Sequence, residues 1–123
     1  MFLARRVPFG YAKSMTTPDS EEREFERAAD EELRHLLTAI EALGLDLEVE
    51  LSMGILTVDF PDGGKYIVNS HRAARQIWMA AERNAWHFDR DGARWVAKKT
   101  GDDLRGALRT VIAKKTGKPV SLD

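Results

Sequence analysis

The chain contains no cysteine. Disulfides, thiolate nucleophiles, thiolate zinc sites and cysteine-held clusters are therefore excluded, and a reducing compartment suits it. Prolines are few, four in 123 residues, and no repeat or low-complexity segment is present. No apolar run approaches the roughly 20 residues a membrane helix needs. There is no Ser/His/Asp arrangement, phosphate-cradling glycine loop or metalloprotease motif. What remains is 43% hydrophobic and 32% charged, the composition of one globular domain with one core.

The net charge of −1 conceals a strong asymmetry. Residues 1–18 carry Arg5, Arg6 and Lys13 and no acid. Residues 19–62 hold fourteen acids against three arginines, a net −11. From Gly63 onward thirteen basic residues oppose six acids, a net +7. Such a split implies a directional field suited to two differently charged partners. The basic residues of the second half are dispersed, and without an RNA-binding signature nucleic acid is not an expected partner.

Periodicity supplies the elements. Phe25, Ala29, Leu33, Leu36, Ile40 and Leu43 recur at steps of three and four, which predicts an amphipathic helix from Ser20 to Leu43. Asp19 or Ser20 is the expected N-cap, and Gly44 stands where a terminating glycine belongs. Asp46 to Leu51 alternates strictly, so Asp46, Glu48 and Glu50 are expected on one strand face, neighbours about 6.7 Å apart. Further strands are predicted at 55–60, 65–69, 76–80, 86–88 and 94–97, with turns at 52–54, 61–64 and 89–92. A second helix follows, with Thr100 as cap, Asp103 in an imperfect capping box, and Leu104, Leu108, Val111 and Ile112 as its stripe. Gly117 and Pro119 end it. This order predicts an α+β two-layer sandwich: an antiparallel sheet of about six strands, with the N- and C-terminal helices on one face. Residues 1–18 read as a disordered leader or alternative-start extension, 19–118 as the domain and 119–123 as a short tail. Residues 1–14 are basic and acid-free like a targeting peptide, yet lack the apolar stretch of a secretory signal.

Several segments together resemble the frataxin family, bacterial type. They are Gly54-Ile55-Leu56-Thr57-Val58, Tyr66-Ile67-Val68-Asn69, Gln76-Ile77-Trp78-Met79-Ala80 and His87-Phe88-Asp89, with Trp95 and Gly101 beyond. Glu24-Phe25 and Ala29-Asp30 match the start of the family's first helix, and the likeness runs over about residues 20–115. Two stretches depart from the pattern: Asn69-Ser70-His71-Arg72-Ala73, where the family often has a basic residue, Gln and a Pro, and Asn84-Ala85, where it commonly has glycines.

The resemblance implies a weak iron binder that regulates iron–sulfur cluster assembly and docks on a cysteine desulfurase and a cluster scaffold protein. Lacking cysteine, the chain cannot hold a cluster by the usual ligands. The expected cation surface is Glu21, Glu22, Glu24, Glu26, Asp30 and Glu31 on the first helix with Asp46, Glu48 and Glu50 on the first strand. Carboxylate oxygens accept Fe(II) and, as a hard cation, Fe(III) more readily. An open array of them binds weakly and at several positions, and an acidic run alone is only a solvated face. Trp78, with Asn69 and Gln76 beside it, is the expected protein-contact anchor, on the sheet face the helices leave bare. No catalytic residue is expected. The enzymatic alternative is a ferroxidase or iron-storage protein, whose centre normally sits in a helical bundle core with Glu-x-x-His pairs, and no such pair is expected here. A purely protein-interacting acidic module is the third reading. The expected setting is a monomer in the bacterial cytoplasm, with iron-induced oligomers as a variant, or the mitochondrial matrix if residues 1–14 are a transit peptide.

Overall fold

A computed structural model describes the backbone of residues 11–123 and the side chains of residues 20–123. Residues 1–10, most of the expected leader, lie outside the described residues. The elements run α1 (Tyr11–Glu41), β1 (Glu48–Ser52), β2 (Ile55–Asp59), β3 (Lys65–His71), β4 (Gln76–Ala81), β5 (Asn84–Asp91), β6 (Arg94–Val96) and α2 (Leu104–Thr116). The six strands form one antiparallel meander in chain order.

Both helices lie on one face, as the register shows. Leu56, Val68 and Met79 stand opposite one another across β2, β3 and β4, and Ile77 stands opposite Phe88. All five are buried with Phe25, Ala28, Ala29, Leu33, Leu36 and Ile40 of α1 and Leu104, Ala107, Leu108 and Ile112 of α2. The helical stripe thus meets the core as its period requires, with Leu43 and Val111 only partly buried at its margins. Trp95 is buried and packs edge-on against Phe25 with ring centroids 5.9 Å apart. Tyr66 is buried too, and its hydroxyl donates to Glu82 in the β4–β5 turn. Burial, then that bond, pushes the Tyr66 phenol pKa up.

Three local expectations need correction. Helical backbone extends N-terminal to Ser20, back to Tyr11, so neither Asp19 nor Ser20 is the cap. Once a helix is nucleated each added residue gains a hydrogen bond, and only the missing N–H of Pro18 interrupts that ladder. Asp103, not Thr100, caps α2: its extended backbone (φ −100°, ψ 156°) lets its carboxylate accept from the Gly106 N–H. Thr100 instead bonds Asp102. β5 continues through Asp89 to Asp91, and the turn sits at Gly92 and Ala93. At the other end of α2, Gly117 takes the left-handed conformation (φ 70°) and donates to the Ala113 carbonyl, as expected of a terminating glycine.

The last five residues do not trail from the domain. Val120 packs against the core, Leu122 is 1% exposed, and the Leu122 carbonyl oxygen lies 2.6 Å from His35 Nε2, which donates to it. The C-terminal segment is therefore part of the core and is tied to α1.

Candidate functional site

The acidic half of α1 is exposed but largely occupied by arginines of the same chain. Glu24 pairs with Arg27 at 2.8 Å and with Arg90 of β5 at 3.0 Å. Glu21 meets Arg75 at 3.0 Å and Glu26 meets Arg72 at 2.9 Å. Asp30 pairs with Arg34 at 2.7 Å, and Glu31 lies 3.5 Å from Arg27. Glu22 has no ion-pair partner among the described residues. Folding thus returns part of the basic second half of the sequence onto the acidic first half and cancels some of the field that charge counting suggests. The hydrogen bond from Arg27, then that from Arg90, lowers the Glu24 carboxyl from the ordinary 4.5 to about 2.

A depressed carboxylate pKa contributes stability that is present above the unfolded value and lost as pH falls through the folded one. For Glu24 that window lies between about 4.5 and about 2. A carboxyl-carbon NMR titration is expected to find Glu24 still ionised at pH 3, and protonated there in Arg27→Gln/Arg90→Gln.

Glu32 behaves differently from its neighbours. It is buried and forms a two-pronged pair with Arg105 of α2, both Nε and Nη2 donating at 2.9 Å. This removes it from any cation surface. The expectation that the chain has no Glu-x-x-His pair needs correction, because Glu32 and His35 stand at that spacing. A di-iron centre uses such pairs as ligands. Here Glu32 is engaged by Arg105 and His35 by the Leu122 carbonyl.

On β1 the alternation holds for two of the three expected acids. Val49 and Leu51 pack on the core, while Glu48 and Glu50 are exposed, without a basic partner among the described residues. Asp46 leaves their face. The Leu47 N–H bonds the Leu45 carbonyl at 2.9 Å, so Asp46 is the middle of a tight three-residue turn before the strand begins. It borders a different hollow, beside Asp62, Lys115 and Lys118. Glu48 and Glu50, with Glu41 and Asp59, rim a hollow of about 410 Å³ lined by Ile40, Leu45, Leu47 and Val49. The helix acids and the strand acids are therefore two surfaces: one beside Arg72, Arg75 and Arg90, the other at the free edge of the sheet. Among the described residues no three His, Asp or Glu side chains converge to hold a metal ion.

The sheet face opposite the helices, bare among the described residues, carries the remaining expected residues. Asn69, Trp78 and His87 stand opposite one another across β3, β4 and β5, and His71, Gln76 and Asp89 form the next row. Trp78 is half-buried because two imidazoles flank it. The His71 ring stacks at 3.7 Å and 17°, and the His87 ring at 4.3 Å and 13°. Its indole N–H donates to Gln76 Oε1 at 2.8 Å, and the Gln76 amide donates to Asp89 at 3.1 Å. Ile55 and Ile67 lie exposed on the same face, and Met53 projects from the β1–β2 turn. Gly54 keeps that turn tight: it has φ 78°, and an added Cβ would come within 2.7 Å of the Ser70 hydroxyl. The histidines were not among the expected site residues. A two-residue turn at Glu82-Arg83 places position 87 opposite 78, so the hairpin spacing carried the signal for His87.

Comparison with known proteins agrees with this architecture. Residues 18–118 match the family described as Frataxin-like domain. The iron-sulfur cluster assembly protein CyaY of Vibrio cholerae is 31% identical over 99 residues, covering 80% of this chain and 95% of its own. The protein of the same name from Dechloromonas aromatica is 35% identical over 103 residues, covering 83% and 98%. Among solved structures, frataxin from Psychromonas ingrahamii superposes with a TM-score of 0.78 at 26% identity, over 83% of this chain and 97% of its own. A trimeric frataxin from the yeast Saccharomyces cerevisiae, complexed with ferrous, gives 0.66 at 33% identity, over 74% and 87%. With a family match across the whole sandwich and curated relatives above 30% identity, the chain belongs to the frataxin-like family.

Proposed function

We propose that this protein takes part in iron–sulfur cluster assembly as an iron-responsive regulator. It binds Fe(II) or Fe(III) weakly on exposed carboxylates and docks on the cysteine desulfurase and the scaffold protein. The names of its curated relatives support the process, and the ferrous complex of the yeast frataxin supports the cation. The observation that carries the reading is that one bare sheet face presents both chemistries. Glu48 and Glu50 lie at its edge, and Trp78, with Asn69 and Gln76, lies three strands away, about 14 Å at the usual strand spacing.

The two chemistries divide the labour. Exposed acids attract a basic partner surface and speed encounter, with strong salt dependence. The half-buried indole, held by stacking and by Gln76, supplies an ordered aromatic anchor. A cation on the carboxylates reduces the field that a basic partner meets, so iron and partner compete for the acids. The setting is the bacterial cytoplasm and the working species a monomer; the trimeric yeast relative supports assembly under other conditions.

Glu48→Gln/Glu50→Gln tests the cation surface. Fe(II) titration under anaerobic conditions is expected to lose the binding that perturbs β1 amides, with affinity there falling at least fivefold. Unchanged perturbation of β1 would remove the edge strand from the cation surface. Oxygen uptake under excess Fe(II) at the uncatalysed rate is expected as well, and turnover well above it would promote the ferroxidase reading.

A further inference from the structure

Two of the arginines that engage the acidic helix belong to one four-residue turn, Arg72 to Arg75, between β3 and β4. The residues bounding that turn are His71 and Gln76, and both touch Trp78. Within the turn the Ala74 N–H bonds His71 Nδ1 at 3.3 Å, and the Arg75 N–H bonds the Arg72 carbonyl at 3.1 Å. Arg75 has φ 54°, the left-handed region that favours glycine. A strained, arginine-bearing turn thus spans from the Glu21 and Glu26 carboxylates on one side of the molecule to the indole on the other.

We propose that this turn couples the two surfaces: Arg72 and Arg75 are positioning residues that hold His71 and Gln76 against Trp78 while Glu26 and Glu21 are free of other cations. The inference rests on the reading that carboxylates of α1 meet cations. The physical argument is competition. A multivalent cation on Glu21 or Glu26 repels the guanidinium it displaces. Exposed ion pairs of this kind are individually weak, each worth a factor of about two to five in an equilibrium, so a weak ligand suffices to open them. Once both guanidiniums are released, the left-handed Arg75 is held by the turn's own Arg75–Arg72 and Ala74–His71 bonds, and the placement of His71 and Gln76 against Trp78 loosens with the turn. Arg90 pairs with Glu24 from within β5 and does not bear on this turn. Linkage makes the effect reciprocal: a partner that rearranges the turn through Trp78 changes cation affinity on α1 by the same factor.

The test is an NMR titration of the full chain with La(III), a diamagnetic hard cation, followed at the amides of residues 21–26 and at the Trp78 indole N–H. The expected result is a common midpoint for the helix signals and the indole. In Arg72→Gln/Arg75→Gln the helix midpoint is expected to fall about two- to fivefold, because the competing guanidiniums are gone, while the indole stays still. An indole that does not move in the unsubstituted chain, although the helix titrates, overturns the coupling and leaves the carboxylate reading standing. An indole that still moves in the variant also overturns it, since the cation then acts on Trp78 by another route. Absence of any helix titration removes both. Rising NaCl on the unsubstituted chain gives a variant-free check: screening the pairs is expected to move the indole in the same direction as La(III), and no movement contradicts the coupling.

Discussion

Arg105→Ala is expected to destabilise the protein by about 3 kcal/mol, lowering the melting temperature by on the order of 10 °C. The reason lies in what the substitution leaves behind. Glu32 is 6% exposed, and its carboxylate receives both prongs of the Arg105 guanidinium. The Glu32 hydrogen bond also raises the Arg105 pKa, so the cation is never lost by titration. Removing the arginine strands a buried charge, and the cost is mostly that of the unpaired carboxylate. It follows that Glu32→Leu/Arg105→Met, which removes both charges, is expected to lose much less than Arg105→Ala alone. Denaturant unfolding of both variants measures the difference. Equal losses would mean that the arginine acts through packing of its aliphatic stem instead.

Leu122→Ala is expected to cost about 3 kcal/mol, a large effect for a residue next to the chain end. Leu122 is fully buried, and its backbone carbonyl is the acceptor for His35. The substitution removes the packing of a buried side chain and leaves a cavity that the surrounding core fills only in part. Deleting residues 120–123 is expected to cost more, because His35 then loses its acceptor as well. His35→Ala separates the terms: it removes the hydrogen bond and keeps Leu122, so it is expected to lie well below the deletion. Thermal unfolding of the three variants orders them. A Leu122→Ala protein as stable as the unsubstituted chain would show that the tail contributes nothing to the core.

The architecture was largely legible in the sequence because it rests on periodicity. The stripe of α1 and the alternation of β1 to β4 follow from which side each residue presents, and burial of Leu33, Leu36, Leu56 and Val58 is what those patterns require. The candidate surfaces were legible only in part, since their geometry rests on pairings between segments distant in sequence. Charge counting registers that the first half is acidic and the second basic. It cannot say that Arg72, Arg75 and Arg90 come back to Glu26, Glu21 and Glu24, fifty or so residues away. Alternation extrapolated one residue pair too far placed Asp46 on the strand, where a Leu45–Leu47 turn carries it off the face. Burial of Glu32 was hidden because an acid on the margin of an apolar stripe looks solvated until its partner helix is in place. The same holds for Trp78: its position on the bare face follows from alternation, and its two stacked imidazoles from hairpin register.

The central claim is that the bare face and the acidic residues serve docking to the cluster-assembly machinery. Affinity capture from extracts of the native cell tests it most directly, using the full chain and Trp78→Ala with and without added Fe(II). The account predicts that the chain recovers the cysteine desulfurase and the scaffold protein. Trp78→Ala is expected to bind purified scaffold about 30-fold more weakly, the loss of an aromatic hot spot of roughly 2 kcal/mol. Recovery of neither protein under either iron condition would contradict it.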